Sequence, residues 1–153
     1  MQYGVEEFCT KCSEIGIDGL IIPDLPPTYY KEHYKTVFEE NNISNIMLIT
    51  PQTDTIRIKE LDKISDGFLY IVSTNSITGA NKTFDNQEEY FKRISALNLS
   101  NPSLVGFGIH DQKTFSKASK YLNGAIVGSA FIKALDTENK LDTIVQEFVK
   151  KIR

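Results

Sequence analysis

Cysteine and histidine are scarce in this chain of 153 residues. Cys9 and Cys12 are the only cysteines, and the only histidines, His33 and His110, lie far from them in sequence. A single Cys-x-x-Cys motif with no second pair does not complete a zinc site, although a redox pair or half of a metal site is an alternative. The two thiols fall on the apolar positions of a helical pattern, so the sequence predicts that both are buried structural cysteines.

Long apolar runs and an excess of positive charge are also absent. No run approaches the roughly 18 residues of a membrane span, and the first four residues do not open a signal peptide. The net charge is −3 and the 17 lysines and arginines are scattered, which argues against a nucleic-acid-binding surface. The composition therefore predicts a cytoplasmic globular protein without a membrane or nucleic-acid partner.

What the chain does contain is a regular alternation of short apolar runs and amphipathic helices. A first helix (Val5–Ile15) precedes five strand–helix units, and the segments are too evenly spaced for linkers, so we expect one domain over 1–153. The predicted strands are Gly19–Pro23, Ile46–Ile49, Gly67–Ser73, Ser103–Phe107 and Gly124–Val127. The predicted helices that follow them are 28–41, 54–64, 85–97, one beginning after Asp111, and 130–134 with 141–152.

This alternation predicts a parallel α/β sheet, either open or barrel-like. No Gly-x-Gly-x-x-Gly motif follows the first strand, which argues against an open dinucleotide-binding sheet and favours the barrel.

Glycine follows each of the last two predicted strands. Gly106 lies near the end of one and Gly108 directly follows it, and Gly128 with Ser129 comes after the other. Barrels of this class build phosphate sites from the loops after their last two strands, where bare backbone N–H groups can approach the ligand. Ser129 opens a short helix whose first N–H groups would face an anion, so the sequence predicts a phosphate site here.

Four motifs in this order resemble one family across essentially the whole chain. They are Ile21–Pro26 (IIPDLP), Tyr70–Ser73 with Ile77–Ala80 (YIVS, ITGA), Val105–Ile109 (VGFGI) and Gly128–Lys133 (GSAFIK). Together they closely resemble the tryptophan synthase alpha subunit, a (β/α)8 TIM barrel. The resemblance implies that this chain corresponds to the later part of the barrel, roughly the fourth to eighth βα units, with five parallel strands and an N-terminal helix. The first three strands are then expected to be missing.

The resemblance also implies an activity. The family cleaves indole-3-glycerol phosphate to indole and glyceraldehyde 3-phosphate without a cofactor, and works with a pyridoxal-phosphate beta subunit that receives the indole. Its catalytic Glu and Asp precede the region that this chain resembles, so no catalytic residue and no metal ligand are assigned here. The chain alone is expected to be inactive. The expected beta-subunit contacts are the Asp24–Pro26 turn and the lid, which is the long loop after the third predicted strand (residues 74–84).

The family's binding residues carry over onto nine positions of this chain. The phosphate contacts map onto Gly79, Gly108, Gly128 and Ser129. The indole pocket and the lid map onto Ile21, Tyr70, Thr78, Phe107 and Ile126. For Ile21 and Ile126 a place in the barrel core is an equal alternative, because apolar side chains fill barrel interiors.

Several polar residues near the predicted strand ends have simpler interpretations. Asp54 and Asp111 are expected to cap helices and Asp24 to lie in a turn or subunit contact, with an acid–base role as the less favoured reading. His110 stands where the family usually has a small hydroxyl residue, and a solvated position before the Asp111 cap is favoured over a role at the phosphate rim. The lid also departs from the family, since Thr74-Asn75-Ser76 replaces its usual glycine and nearby arginine.

Three alternatives stay open. The chain could be another phosphate-handling barrel, such as a ribulose-phosphate epimerase or an imidazole-glycerol-phosphate cyclase, although the two dispersed histidines argue against this. It could instead be a non-catalytic phosphate-binding fragment or a module that binds the beta subunit. A part-barrel also leaves open sheet edges, so we expect self-association through edge strands around Ile21 and Ile126.

Overall fold

The computed structural model describes residues 3–73, 84–106, 108–136 and 140–153, without the side chains of 84–86. These residues form two compact units. The first unit comprises Met1–Ile49, Thr53–Tyr70 and Ser100–Pro102, and the second comprises Thr50–Gln52, Ile71–Leu99 and Ser103–Arg153. The expectation of a single domain over 1–153 stays a prediction.

Helices and short parallel strands alternate in the first unit. Its elements are α1 (Val5–Glu14), β1 (Gly19–Leu20), α2 (Pro27–Tyr29), a π-helical segment (Tyr30–Tyr34), α3 (Lys35–Glu40), β2 (Ser44–Asn45), β3 (Met47–Ile49), α4 (Thr55–Ile64) and the first half of β4 (Leu69–Val72). On α1, Cys9 and Cys12 are both buried and unpaired, which confirms the predicted structural thiols. Gly16, with φ +78°, ends the helix in the left-handed conformation that its position predicts.

The second helix differs from its prediction. It begins at Pro27 rather than at the predicted residue 28, because the fixed φ of proline suits the first helical position. Its middle turn is π-helical over Tyr30–Tyr34. The Tyr30 ring is buried and packs edge to face against Phe38, with ring centroids 5.2 Å apart. Burial raises the pKa of the Tyr30 hydroxyl to about 12.

An additional strand, β2, precedes the predicted strand at 46–49, so the prediction of five strands is wrong and the described residues contain six. β2 pairs in parallel with β1, with Gly19 opposite Ser44 and Leu20 opposite Asn45. β3 instead neighbours β4. The chain changes partner at Ile46, whose N–H still donates to the Leu20 carbonyl at 2.9 Å.

Two buried polar side chains hold the loops of the first unit. On α4, the Asp62 carboxylate accepts hydrogen bonds from the N–H groups of Ser100 (2.8 Å) and Asn101 (2.9 Å) and from the Asn101 side chain (3.0 Å). Burial acts to raise the pKa of Asp62, but these hydrogen bonds outweigh it and lower the pKa below its ordinary value. Ser65 Oγ accepts from the Met47 N–H at 3.1 Å and donates to the Phe68 carbonyl at 2.9 Å.

The second unit carries the rest of the chain. Its elements are the second half of β4, α5 (Phe84–Ser95), β5 (Ser103–Gly106), α6 (Gln112–Ser119), β6 (Gly124–Ala125), α7 (Ser129–Ala134) and α8 (Leu141–Ile152). The strand order is β4–β5–β6, as expected for successive parallel βα units. Helix α5 begins at Phe84, one residue before the predicted start at 85.

Helix α8 buries only part of the apolar face that its sequence predicts. Ile144 and Ile152 are buried, whereas Leu141, Val145 and Val149 are exposed. Within the described ranges, no helix is both long and apolar enough to cross a membrane.

Candidate functional site

The carboxyl ends of β5 and β6 lie side by side in the second unit. The strands pair in parallel, with Leu104 opposite Gly124 and Val105 opposite Ala125. At their other ends Ser103 and Asn123 hold each other: the Ser103 N–H donates to Asn123 Oδ1 at 2.8 Å and the Asn123 N–H donates to the Ser103 carbonyl at 3.0 Å. Because both strands run the same way in this register, the chain segments that leave them start from the same edge of the sheet.

Each of these segments contains a glycine whose backbone is exposed next to the end of its strand. Gly108 follows β5 with φ +73°, in the left-handed region that other residues adopt at a cost. Gly128 follows β6 at the N-cap position of α7. A Cβ atom added to Gly128 would meet nothing within 4 Å, so its backbone faces open space. Both positions leave backbone accessible next to the strand ends.

Helix α7 begins at Ser129 without a side-chain cap. The Gly128 carbonyl accepts from the N–H groups of Phe131 (2.9 Å) and Ile132 (3.1 Å). The first N–H groups of a helix have no partner within it, so those of Ser129 and Ala130 are oriented away from the helix body. The Ser129 hydroxyl adds a second kind of donor at the same end.

Ser129 also lines a cavity of about 620 Å³ in the second unit. Its apolar lining comes from Ala130, Ala134, Ile144 and Phe148. Its polar lining includes His110, Lys133, Glu147 and Lys151. Two permanent cations, one anion and one titratable imidazole give this cavity a net positive lining, which suits an anionic group.

His110 is exposed, as the sequence predicts, and it makes several contacts with its neighbours. Its backbone N–H donates to Thr114 Oγ1 at 3.2 Å, and its imidazole Nδ1 lies 3.0 Å from the Gly108 carbonyl oxygen. Its Nε2 lies 3.6 Å from Asp111 Oδ2. The imidazole is therefore held beside the left-handed glycine and at the rim of the Ser129 cavity.

The two aspartates expected to cap helices do so. Asp54 Oδ1 accepts from the Arg57 N–H at 2.9 Å. Asp111 forms a reciprocal capping box with Thr114, accepting from the Thr114 N–H at 2.8 Å. The Thr114 hydrogen bonds lower the pKa of Asp111. Asp24 is exposed in a turn, where the Leu25 N–H donates to the Ile22 carbonyl at 3.2 Å.

Comparison with known proteins shows to which family this chain belongs. The sequence matches the family model "Tryptophan synthase alpha chain" over residues 1–152. The chain belongs to the tryptophan synthase alpha chain family.

Named relatives and solved structures agree with this membership. The alpha chain of Flavobacterium psychrophilum is 56% identical over 153 residues, which are 99% of this chain and 60% of that protein. The alpha chain of Flavobacterium johnsoniae is also 56% identical, over 100% of this chain and 60% of that protein. Among solved structures, the Campylobacter jejuni alpha subunit has a TM-score of 0.77 at 29% identity, over 99% of this chain and 60% of that one. A chain of a tryptophan synthase complex from Pyrococcus furiosus has a TM-score of 0.78 at 25% identity, with the same coverage.

These relatives define the fold class and its extent. The similar solved chains are TIM barrels with parallel α/β sheets, which confirms the barrel-type fold. This chain spans about 60% of the length of the relatives it matches. Which βα units of the family it represents stays a prediction.

The residues predicted from the family resemblance fall into three groups. Gly108, Gly128, Ser129 and Ile126 belong to the second unit, near the ends of β5 and β6. Ile126 is half-buried there, and its N–H donates to the Val105 carbonyl at 2.8 Å.

Ile21 and Tyr70 belong to the first unit. Ile21 is 42% exposed, and Tyr70 is half-buried, where burial raises the pKa of its hydroxyl. The remaining three, Thr78, Gly79 and Phe107, lie outside the described residues.

Sequence reasoning overlooked the two lysines of the Ser129 cavity. Lys133 lies one helical turn after Ser129 on α7, so the i, i+4 spacing from Ser129 was a usable signal. Lys151 comes from α8, and only the packing of α7 against α8 brings it to this cavity.

Proposed function

We propose that this chain supplies the phosphate- and indole-binding part of an indole-3-glycerol-phosphate lyase of tryptophan biosynthesis. The reaction is the aldol-type cleavage of indole-3-glycerol phosphate to indole and glyceraldehyde 3-phosphate. Family membership supports this choice over another phosphate-handling barrel. The proposal includes a cytoplasmic location, no cofactor and a beta-subunit partner.

The proposed phosphate site rests on the paired ends of β5 and β6. Their register brings the segments that hold Gly108 and Gly128 to one edge, and Ser129 opens α7 directly after the second glycine. A phosphate monoester there would accept hydrogen bonds from backbone N–H groups and the Ser129 hydroxyl. Lys133 and Lys151 add favourable charge nearby. Gly79 is the fourth proposed contact.

The indole half rests on apolar positions that the family resemblance implies, of which Ile126 lies directly after β6. Ile126 follows β6 and is half-buried, as a side chain that contacts an aromatic ring at a strand end would be. Tyr70, Ile21 and Phe107 are the other proposed contacts, and Thr78 is the proposed closing residue of the lid. An apolar pocket with few polar groups is the usual environment for such a ring.

The cleavage step needs groups that this chain is not proposed to contain. Breaking the bond requires a proton delivered to C3 of the indole and a proton removed from a glycerol hydroxyl, which is work for positioned carboxylates. Asp54 and Asp111 already accept hydrogen bonds from the helix ends that they cap, and Asp24 lies in an exposed turn. We therefore assign no acid or base, and expect no turnover by the chain alone.

Calorimetric titration with glycerol 3-phosphate tests the binding half. Wild type is expected to bind saturably, and Ser129→Asp to abolish binding because it places a carboxylate where the phosphate should sit. Ser116→Asp, an exposed change on α6 of the same unit, adds the same charge and is expected to retain binding within about twofold. No binding by wild type, or equal loss in both variants, would contradict the proposed site.

Measurement of indole release from indole-3-glycerol phosphate tests the proposal that this chain contains no catalytic acid or base. We expect none from this chain, with or without a tryptophan synthase beta subunit. Turnover that Ser129→Asp abolishes would show that an acid and a base do lie within these residues. Binding of the beta subunit without turnover would fit the chain acting as a binding part only.

A further inference from the structure

The imidazole of His110 lies between the segment that follows β5 and the Ser129 cavity. Its Nδ1 is 3.0 Å from the Gly108 carbonyl oxygen. A carbonyl oxygen only accepts hydrogen bonds, so this contact requires a proton on Nδ1 and sets the neutral tautomer. The proton that is gained and lost with pH is therefore on Nε2, which lies 3.6 Å from Asp111 Oδ2. Protonation changes the charge of the ring and leaves its contact with Gly108 in place.

The backbone that carries this ring is fixed to the start of α6. The His110 N–H donates to Thr114 Oγ1 at 3.2 Å. The same hydroxyl oxygen accepts from the Asp111 N–H at 3.2 Å, within the capping box that begins the helix. The imidazole is therefore presented to the cavity by a short, hydrogen-bonded segment.

The ring adds to a set of charged side chains around the Ser129 cavity. They come from three helices: Asp111 and Lys113 at the start of α6, Lys133 of α7, and Glu147 and Lys151 of α8. Three cations against two anions give this set a net charge of +1, and a protonated His110 raises it to +2. The charge that an anion meets at this cavity therefore depends on the protonation of one side chain.

We propose that His110 is a further phosphate-binding residue of the second unit, which contributes a positive charge to the Ser129 cavity only when it is protonated. The inference rests on the proposed phosphate site. His110 and Ser129 line the same cavity, so a phosphate group bound by Ser129 lies in the field of the imidazole. Histidine ordinarily changes charge between about pH 5 and 8, and a phosphate monoester loses charge in the same range. His110 would thus gain charge as the ligand loses it.

The expected effect is moderate because one side of the ring is open to water. The His110 side chain is 65% exposed, and solvent and salt weaken the interaction of exposed charges. The Asp111 carboxylate also offsets part of the charge of a protonated ring. We therefore expect protonation of His110 to strengthen anion binding about three- to fivefold.

Nuclear magnetic resonance of the two histidine side chains tests the proposal, with sulfate as the probe. Sulfate keeps its charge over the range in which histidine titrates, so a pH dependence of its binding comes from the protein. Linkage is reciprocal: if the protonated ring favours sulfate, sulfate favours the protonated ring. Saturating sulfate should therefore move the titration midpoint of His110 to higher pH by at least about 0.5, which corresponds to about threefold in affinity. His33, the other histidine, lies in the first unit and should move by less than about 0.1 when sodium chloride keeps the ionic strength constant.

The variant His110→Asn separates the charge of this residue from its position. The asparagine amide can donate to the Gly108 carbonyl as Nδ1 does, but it carries no charge at any pH. In calorimetric titrations, wild type should bind sulfate about three- to fivefold more tightly at about pH 5.5 than at about pH 8, and the variant should change less than about 1.5-fold. The replaced ring is exposed, so the variant should melt within about 3 °C of wild type.

The outcomes separate a charge effect of His110 from general screening by salt. The proposal is supported if sulfate moves the midpoint of His110 alone and His110→Asn loses the pH dependence. It is overturned if both histidines move equally, if neither moves, or if the variant keeps the pH dependence. Titration of wild type with glycerol 3-phosphate at about pH 8 distinguishes this failure from failure of the proposed function. Binding there without movement of His110 overturns this inference and leaves the phosphate site in place, whereas no binding overturns both.

Discussion

The two units differ in how they use polar groups at the ends of their strands. In the first unit, the loop at Ser100–Asn101 is closed by the buried Asp62 carboxylate, with three hydrogen bonds of 2.8 to 3.0 Å. In the second unit, the segments after β5 and β6 contain Gly108 and Gly128, and a Cβ added to Gly128 would meet nothing. Polar groups that are partnered inside the protein contribute to stability, whereas open backbone remains available to a ligand.

Removal of the Asp62 carboxylate should give the largest effect on stability. Asp62→Ala leaves the N–H groups of Ser100 and Asn101 without their acceptor, which should lower the free energy of unfolding by roughly 2–4 kcal/mol. Chemical denaturation measures this change. Asp24→Ala, at an exposed turn, is the control and should stay within about 0.5 kcal/mol. Equal effects of the two changes would contradict the stabilising role of the buried Asp62 carboxylate in the first unit.

The same Asp62 contact predicts a pH dependence. Its pKa is lowered in the folded state, so its contribution is complete above the ordinary aspartate pKa of about 3.9 and is lost as the pH falls through the lower, folded value. The stability difference between wild type and Asp62→Ala should therefore be constant near neutral pH and shrink below about pH 4. A difference that grows on acidification would contradict the hydrogen-bonding account.

The Ser65→Ala change should lower the free energy of unfolding less than Asp62→Ala does. Ser65→Ala removes an acceptor for the Met47 N–H and a donor to the Phe68 carbonyl in a buried position. The expected loss is about 1–2 kcal/mol in the free energy of unfolding, because these hydrogen bonds involve no charge. Ser13→Ala, on the exposed side of α1, is the matched control and should be neutral.

Gly108 should have a smaller effect on stability. Its φ of +73° is costly for a residue with a Cβ, so Gly108→Ala should lose roughly 1 kcal/mol. Gly108→Asn is expected to lose less, since asparagine tolerates this conformation better. Thermal melting of both variants checks the order, and a larger loss for asparagine would contradict the backbone explanation.

Gly128→Ala should have almost no effect on stability and a clear effect on binding. The added methyl group meets no atom within 4 Å, so the melting temperature should stay within about 2 °C of wild type. The same methyl group would occupy the space in front of the α7 N–H groups, and glycerol 3-phosphate should bind at least about fivefold more weakly. Calorimetry and melting together decide this, and unchanged binding would separate Gly128 from the proposed phosphate site.

Sequence patterns predicted the local features of this chain well. The caps at Asp54 and Asp111 are confirmed, because each depends on atoms within about four residues. The additional strand β2 was not predictable in the same way. Its hydrogen bonds come from residues far away in sequence: the Ile46 N–H donates to the Leu20 carbonyl, and Ser65 Oγ donates to the Asn45 carbonyl 20 residues earlier.

In the candidate site, too, only features local in sequence could be predicted. The glycines and Ser129 could be found from sequence because they directly follow apolar strands. The lysine of α8 could not, since Lys151 reaches the Ser129 cavity only through the packing of two helices. Asp62 was also overlooked, because a charged residue on α4 gives no sign that a loop 38 residues later will cover it.

The sequence by itself determined the alternation of strands and helices, the caps at Asp54 and Asp111 and the family, because apolar periodicity, capping and motif order are all local properties of short stretches of chain. Tertiary structure alone decided which polar groups are buried, which lysines meet Ser129 and which side of α8 stays exposed. Those outcomes depend on surfaces contributed by residues far apart in the chain, and burial is a property of the packed surfaces rather than of any one segment.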